Sequence, residues 1–266
     1  MFNELKIGIV GLGYVGSAIQ NALSNSYFCI PVIIDPAKGY TASYIDLKNA
    51  DAVFVCVPTP RDDENRCDTS ILEDVLSQLS KIEYTGVVIS KCTATPDIYK
   101  RLGKLYPNLV HIPEFLTAAN AITDYLTGEF AIIGGSVKAY MNEAEHIIKT
   151  VQSNLKTIVH CTVEEAALAK YTINSFLAVK IVFMNEIQGI ATTSGIDYNK
   201  VVSIVQLDRR IGNSHMTVPG TDGLYGFGGH CLPKDTEALL MLSKDLGVTM
   251  QVLEAALKKN TLLRLS

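Results

Sequence analysis

A cysteine near the C-terminal end lies in a stretch that could make its thiol reactive. Cys231 stands between a glycine-rich run, residues 226–229, and a predicted helix that starts near Pro233 and ends at Gly247. Proline suits the first helical turn, and Asp235 complements the positive end of a helix. An ordinary cysteine has a pKa of about 8.5 and is only about 3% thiolate at pH 7. A helix N-terminus raises that fraction, so the position predicts a nucleophile, with a buried structural cysteine as the alternative.

The opposite end of the chain has the spacing of a dinucleotide-binding turn. The apolar run Leu5 to Val10 leads into Gly11-Leu12-Gly13-Tyr14-Val15-Gly16, and a helical pattern follows from Ser17 to Leu23. Asp35 comes 19 residues after the last of these glycines, close to the spacing of about 20 for an acid that binds ribose hydroxyls. Because Asp35 would repel a 2′-phosphate, the sequence favours NAD, and Lys38 keeps NADP open as an alternative.

Further β-like runs alternate with helical stretches such as Ile71 to Lys81 and Lys138 to Ser153. The runs are Ile30 to Ile34, Ala52 to Val57, Val87 to Ser90, Leu109 to Ile112, Ala131 to Ile133 and Thr157 to His160. This alternation predicts an α/β fold with a Rossmann-type, doubly wound parallel sheet. Loops after the strands of such a sheet line its ligand crevice. By position alone, the candidate loops are Pro58-Thr59-Pro60, Lys91-Cys92-Thr93 and Pro113-Glu114-Phe115-Leu116.

The pattern changes after Cys161. Val163 to Thr193 contains no proline and one glycine, which predicts one long helix that is buried between domains or in a subunit interface. We therefore expect an NAD-binding domain over residues 1–161 and a helical central domain over residues 162–266. Lys170 and Asn174 share a helical stripe with apolar residues, and a solvated patch is the alternative to a functional pair.

Composition limits the class of protein. The chain has 266 residues and a net charge of −4 without a basic block, which argues against nucleic acid as a partner. Six cysteines and five histidines show no metal-type spacing, so we expect no metal site. The cysteine pattern and the absence of a signal-like start predict a reducing, cytoplasmic location. The apolar stretch Ile173 to Met184 is interrupted by Asn174 and Lys180 and is shorter than the ~20 residues that span a bilayer, so no membrane anchor is expected.

These motifs together carry a resemblance that covers nearly the whole chain. The segment Gly226 to Asp235 resembles the active-site loop of the UDP-glucose/GDP-mannose dehydrogenase family, and within it that of the UDP-glucose 6-dehydrogenases. Further matching segments follow in the family's order: the glycine turn through Asp35, Val57 to Pro60, Asp68-Thr69, Pro113 to Leu116, Lys170 to Leu177 and Arg209 to Gly212.

The resemblance implies a four-electron oxidation of a nucleotide sugar, most simply UDP-glucose to UDP-glucuronate, by two NAD molecules in turn. Cys231 would form a thiohemiacetal and then a thioester, Asp235 would serve in acid–base chemistry, and Lys170 and Asn174 would donate to the oxyanion. Glu114, with Thr93, would activate the hydrolytic water.

The resemblance also implies binding roles and a homodimer through the long helix, in which Arg210 reaches the partner's substrate. The glycines of the Cys231 loop would let the substrate approach the backbone. The cofactor contacts implied are Gly11, Gly13, Tyr14, Val15, Gly16, Asp35, Lys38, Pro58, Thr59, Thr69, Thr93 and Lys234. The substrate contacts implied are Glu114, Phe115, Leu116, Lys170, Asn174, Arg210, Gly226, Phe227, Gly228 and Gly229.

Three departures from the family pattern stand out. Ala118 occupies the position of a second glutamate, and the loop Asn213 to Tyr225 is long and lacks a basic residue. Family members continue into a C-terminal domain that helps to hold the nucleotide, whereas this sequence ends at Ser266. Two alternatives therefore stay open: a β-hydroxyacid-type dehydrogenase, which needs no cysteine, and a non-catalytic NAD-binding subunit that needs a partner chain.

Overall fold

Short apolar runs of the N-terminal part pair into an eight-stranded sheet in the computed structural model, which describes residues 5–25 and 31–265. The strands are β1 (Ile7–Val10), β2 (Val32–Asp35), β3 (Tyr40–Thr41), β4 (Ala52–Val55), β5 (Val87–Ser90), β6 (Leu109–His111), β7 (Phe130–Gly135) and β8 (Thr157–Cys161). Their order across the sheet is β3-β2-β1-β4-β5-β6-β7-β8. The predicted Ile30 lies outside the described residues.

The sheet is doubly wound, as predicted. β1 pairs in parallel with both β2 and β4, so the strand order reverses at β1 and opens a crevice at the carboxyl ends of β1 and β4. The sheet is not parallel throughout, because β7 runs antiparallel to β6. The next strand, β8, pairs with β7 in parallel and therefore runs in the same reversed direction. The link between β6 and β7 contains the three-residue 3-10 helix Ala118–Asn120 and the seven-residue helix Ala121–Thr127, the second about 10 Å long. Such a short helix cannot carry the chain back across the sheet.

Five helices in the described part flank this sheet: α1 (Tyr14–Asn25), α2 (Ser70–Lys81), α3 (Pro96–Leu105), α4 (Ala121–Thr127) and α5 (Lys138–Val151). Their apolar faces close the core. Buried residues of β1, β4 and β5 pack there with α1 and α5, including Ile9, Phe54, Ile89 and Ile148. The helix α3 was not predicted from the sequence. A 3-10 turn capped by Asp35 follows β2.

The remaining helices are α6 (Val163–Thr193), α7 (Tyr198–Val205), α8 (Cys231–Asp245) and α9 (Gln251–Leu263). The single long helix α6 is confirmed over its whole predicted length. Within the described residues, α6 is the one helix long and apolar enough to cross a membrane, and 44% of its most apolar window is buried inside the protein.

Contacts divide the chain into two compact units. The first comprises the described residues up to Pro60 together with Cys67–Lys170, and the second comprises Arg61–Arg66 with the described residues from Tyr171 onward. The domain division at residues 161 and 162 stays a prediction. In the second unit, Phe227 packs in an apolar cluster with Ala178 and Val182 of α6 and Ala256 of α9.

Candidate functional site

Each glycine of the N-terminal turn meets a different steric demand. Gly11 has a φ of 92°, which a side chain rarely tolerates, and a Cβ there would lie 2.8 Å from the Cys56 carbonyl oxygen. A Cβ at Gly16 would lie 2.0 Å from the Gly11 carbonyl oxygen, so this glycine lets α1 pack against the turn. A Cβ at Gly13 would meet no atom of the described residues within 4 Å. Gly13 therefore leaves its space for a ligand.

The turn faces an open cleft of about 720 Å³ in the first unit. Gly13, Tyr14, Ser17 and Lys38 line one side, and residues 119–123 line the other. Tyr14 begins α1 and is exposed, so the first peptide groups of that helix lie at the cleft, while Val15 packs on the core. Because the N–H groups of a first helical turn have no partner within the helix, this is an anion-binding geometry.

Asp35 and Lys38 brace the turn from the end of β2. One carboxylate oxygen of Asp35 accepts the Leu12 N–H at 2.7 Å, and the other accepts the Lys38 N–H at 3.2 Å. The Lys38 ammonium group donates to the Leu12 carbonyl. Asp35 is partly exposed, and its remaining lone pairs are available to ribose hydroxyls. The cleft, the open space at Gly13 and this carboxylate fit a dinucleotide.

The predicted threonines lie at the carboxyl edge of the same sheet. Thr59 Oγ1 donates to the Thr93 carbonyl at 2.7 Å, which joins the loops after β4 and β5. Pro58, beside it, is exposed. Thr69 immediately precedes α2, and its hydroxyl donates to Glu73 at 2.7 Å. Thr69 is therefore engaged with α2 rather than with the other two threonines.

Glu114, Phe115 and Lys170 come together within the first unit. The Lys170 ammonium group donates to the Glu114 main-chain carbonyl and lies 5.0 Å from the centre of the Phe115 ring. The Glu114 carboxylate accepts the Leu116 N–H at 2.7 Å. Lys170 is only 7% exposed, so the alternative of a solvated lysine patch does not describe it.

Sequence reasoning assigned no role to Lys91, the residue that follows β5. It is buried, and its ammonium nitrogen lies 6.0 Å from the centre of the Tyr125 ring. Burial lowers the pKa of Lys91, and the charge of the Glu114 carboxylate opposes that shift. The sequence did carry a signal for Lys91, because it directly follows the buried strand β5 and belongs to a loop that was predicted to line the ligand crevice.

In the second unit, the Asp235 carboxylate is held from two sides. Asn174 Nδ2 of α6 donates to one oxygen at 2.6 Å, and the Lys234 ammonium group donates to the other at 2.6 Å. Asp235 is 1% exposed, so a charge there depends on these donors. Lys234, predicted as a cofactor contact, forms an ion pair with the Asp235 carboxylate.

Cys231 is the exposed cysteine among the five that the structure describes. It is the first residue of α8, with His230 at the N-cap, so the helix begins two residues before Pro233. Burial raises the pKa of the Cys56 thiol well above its ordinary value and also raises that of Cys161. Exposure and a helix N-terminus therefore distinguish Cys231 from the other four described cysteines.

The glycines of the loop before Cys231 were expected to let a substrate approach the backbone, but two of them lie against other side chains of the protein. The Phe227 ring is buried in the apolar cluster, and the positions that a Cβ would occupy at Gly226 and Gly228 are filled by Asn260 of α9 and by Arg264, which follows α9 directly. Gly229 is exposed. A Cβ at Gly229 would meet no described atom within 4 Å, whereas Gly226 and Gly228 make room for Asn260 and Arg264.

Other predicted features lie elsewhere. Arg210 is exposed and pairs with Asp208 at 2.6 Å. Ala118 begins a short 3-10 helix whose last two residues, Ala119 and Asn120, line the cleft. Among the described residues, no group of three or more His, Cys, Asp or Glu side chains could hold a metal ion.

Two models of one protein family match this chain. The UDP-glucose/GDP-mannose dehydrogenase family's NAD binding domain matches residues 37–152, and the same family's central domain matches residues 164–262. A UDP-glucose 6-dehydrogenase of Rickettsia bellii is 31% identical over 223 residues, which cover 81% of this chain and 50% of that protein. The chain spans about half the length of the curated relatives that it matches.

Solved structures share the fold. A UDP-glucose dehydrogenase from Pyrobaculum islandicum superposes with a TM-score of 0.80 at 24% identity, covering 98% of this chain and 69% of that one. A 3-hydroxyisobutyrate dehydrogenase of Mycobacterium tuberculosis superposes with a TM-score of 0.73 at 16% identity, covering 96% and 91% of the two chains. At these identities the likeness concerns the fold alone.

Proposed function

Since the chain belongs to the UDP-glucose/GDP-mannose dehydrogenase family, we propose that it oxidises the primary alcohol of a nucleotide sugar to a carboxylate. The observation that carries the proposal is the arrangement at the start of α8. There an exposed thiol at a helix N-terminus precedes by one turn a buried carboxylate held by Asn174 and Lys234. A β-hydroxyacid dehydrogenase has no use for such a thiol.

NAD is the cofactor of this family's N-terminal domain, and the glycine turn fits it. Gly13 and the first turn of α1 would hold the pyrophosphate, and Asp35 would accept hydrogen bonds from a ribose. When bound, NAD supplies the hydride acceptor, and two molecules in turn account for the four electrons of an alcohol-to-acid oxidation. Thr59 and Thr93 lie at the same edge of the sheet.

We assign the covalent chemistry to Cys231. Its thiolate would attack the aldehyde carbon of the half-oxidised sugar and form a C–S bond, while the carbonyl oxygen becomes an oxyanion. Lys170 and Asn174, one helical turn apart on α6, would donate to that oxyanion, and one such donor is worth about 3 kcal/mol. After oxidation of this adduct, water attacks the thioester, the C–S bond breaks, and the thiolate is regenerated.

The remaining side chains would move or hold protons. Asp235 is held so firmly between Asn174 and Lys234 that we assign it acid–base work through an ordered water rather than direct contact with the sugar. The Glu114 carboxylate, oriented by the Leu116 N–H, would accept a proton from the hydrolytic water. UDP-glucose, with UDP-glucuronate as product, is our choice of substrate, and the name of the Rickettsia relative supports it.

We also propose a homodimer through α6. Phe176, Phe183 and Ile190 repeat at seven-residue spacing on this helix, and each is more than half exposed. A seven-residue repeat places the three side chains on one helix face. Arg210 would then reach the partner's substrate. The mass of the protein in solution, by sedimentation equilibrium, tests the dimer.

The cytoplasm remains the predicted location, where a thiol nucleophile stays reduced. A count of titratable thiols in protein isolated under non-reducing conditions tests it. Five cysteines of the described part carry thiols, so disulfide-linked protein from the cell would contradict the prediction.

The decisive assay supplies purified protein with NAD and, separately, UDP-glucose, GDP-mannose or UDP-N-acetylmannosamine. We expect two NADH per sugar oxidised, and Cys231→Ser should form no uronic acid. Cys161→Ser, at the end of β8, is the matched control and should keep activity.

Two other outcomes point to different functions. Oxidation of 3-hydroxyisobutyrate that survives Cys231→Ser would favour a β-hydroxyacid dehydrogenase, to which the shared fold gives some support. Binding of NAD without NADH from any sugar would sink the catalytic proposal for this chain. It would favour a non-catalytic subunit that needs a partner.

A further inference from the structure

Asn260, near the end of α9, holds the main chain of the loop that precedes Cys231. Its Oδ1 accepts the Phe227 N–H at 2.6 Å, and its Nδ2 donates to the Phe227 carbonyl at 3.0 Å. We call this pair of hydrogen bonds the Asn260 clamp. Phe227 is only 3% exposed, so water cannot easily replace either bond. One amide side chain thus satisfies both main-chain polar groups of a buried residue.

A second asparagine fixes the preceding residue. Asn185 Oδ1 accepts the Gly226 N–H at 3.1 Å, and Asn185 Nδ2 donates to the Ile181 carbonyl one turn earlier on α6 at 2.8 Å. The Asn185 side chain is itself anchored by that bond. Two successive N–H groups of the loop are therefore held by amides from two different helices.

Glycine at positions 226 and 228 is what allows α9 to come so close. A Cβ at Gly226 would lie 2.3 Å from Asn260 Oδ1, and a Cβ at Gly228 would lie 1.6 Å from Arg264 Nη2. Gly226 also has a φ of 71°, which favours glycine. The Arg264 guanidinium group donates to Asp222 at 2.7 Å, which adds a second tie between α9 and this loop.

The loop transmits this anchoring to the thiol. Phe227 and Leu232 pack on the same apolar cluster, and Cys231 lies between them at the start of α8. Gly228, Gly229 and His230 link Phe227 to Cys231, and a Cβ at Gly229 would meet no described atom within 4 Å. Because glycine is the most conformationally free residue, release of Phe227 would let residues 228–230 move and would loosen the N-terminal side of Cys231.

We propose that Asn260 is a positioning residue for Cys231, which it keeps at the N-terminus of α8 by clamping both peptide groups of Phe227. Its importance for turnover rests on the proposed function. The clamp itself does not, because the hydrogen bonds and the thiol can be probed without substrate.

The sharpest variant is Asn260→Asp. It keeps the acceptor for the Phe227 N–H but turns a carboxylate oxygen toward the Phe227 carbonyl. At neutral pH we expect alkylation of Cys231 by iodoacetamide, assigned by peptide mass spectrometry, to slow about two- to fivefold, the effect of a helix N-terminus on an anion. Asn199→Asp, which makes the same change at an exposed position on α7, is the control and should match the wild type.

Protonation should rescue the variant. Below the pKa of the introduced carboxyl group, its O–H donates to the Phe227 carbonyl, so the ratio of the variant's alkylation rate to the wild type's should return to about one. The charged groups around the clamp are Arg264, the C-cap of α9, and Asp222 in the preceding loop, and α6 presents the non-titrating Asn185. A ratio that stays flat with pH would mean a merely structural defect.

Hydrogen exchange in the wild-type chain provides a test that does not depend on the variant's folding. The Phe227 N–H should exchange slowly, and exchange at the rate of an unstructured peptide would overturn the proposal. If nucleotide sugars turn over, Asn260→Asp should lower kcat more than it changes KM. If the wild type turns over none of them while alkylation and exchange behave as expected, the proposed function fails and the clamp stands.

Discussion

Two glycines three residues apart should respond differently to the same added methyl group. A Cβ at Gly13 meets no described atom within 4 Å, whereas a Cβ at Gly16 would lie 2.0 Å from the Gly11 carbonyl oxygen. Ordinary contact begins near 3.4 Å, so Gly16→Ala must push a backbone carbonyl away by more than 1 Å. Gly13→Ala needs no such movement.

The expected free energies follow from these contacts. For Gly16→Ala, the gain of about 1 kcal/mol in helix propensity is outweighed by the overlap, and we expect a net loss of about 2 kcal/mol in the free energy of unfolding. Gly13→Ala should cost less than about 1 kcal/mol, as a poorer N-cap. Its methyl group enters the space for the pyrophosphate, however, and loss of one charge-assisted hydrogen bond weakens NAD binding at least about tenfold.

Urea unfolding without ligand and calorimetric titration with NAD separate the two effects. Gly189→Ala is the matched control, because a Cβ there also meets no described atom and the residue lies in α6. It should keep the affinity for NAD and gain up to about 1 kcal/mol in stability. Unchanged NAD affinity in Gly13→Ala, or wild-type stability in Gly16→Ala, would refute our account of the turn.

Two further predictions concern acid stability and assembly. Burial lowers the pKa of His111 to about 3, so the folded chain does not take up the proton that the unfolded chain binds below about pH 6.5. Stability should therefore fall as the pH drops, by about 2 kcal/mol at pH 5 from this residue. His111→Phe, which preserves the stack on Tyr99, should remove that part of the loss between pH 7 and pH 5 in urea unfolding, and an undiminished loss would contradict it. Separately, Phe183→Glu should raise the dimer dissociation constant at least about 100-fold in sedimentation equilibrium, because it removes about 2–3 kcal/mol of apolar burial and adds a charge. Leu207→Glu, at another exposed apolar position, should not, and a dimer that survives Phe183→Glu would exclude this face of α6.

Patterns confined to a few neighbouring residues were readable in advance. The glycine turn, its strand and its helix lie within one short segment, where local sterics decide the conformation. The long helix α6 needed only the absence of helix breakers between Val163 and Thr193. The reversal of β7 was not readable, because it depends on how far the short helix α4 can carry the chain.

The contacts of the candidate site likewise divide into those between neighbouring residues and those between residues far apart in the sequence. By itself, the sequence determined that a thiol follows a glycine run at the start of a helix, because that order is local. Only the tertiary structure decided what the glycines are for. Gly226 and Gly228 accommodate side chains of Asn260 and Arg264, more than thirty residues away, and Asp235 is held by an asparagine 61 residues before it. Pairings at such separations arise from how helices pack, which no spacing within the loop encodes.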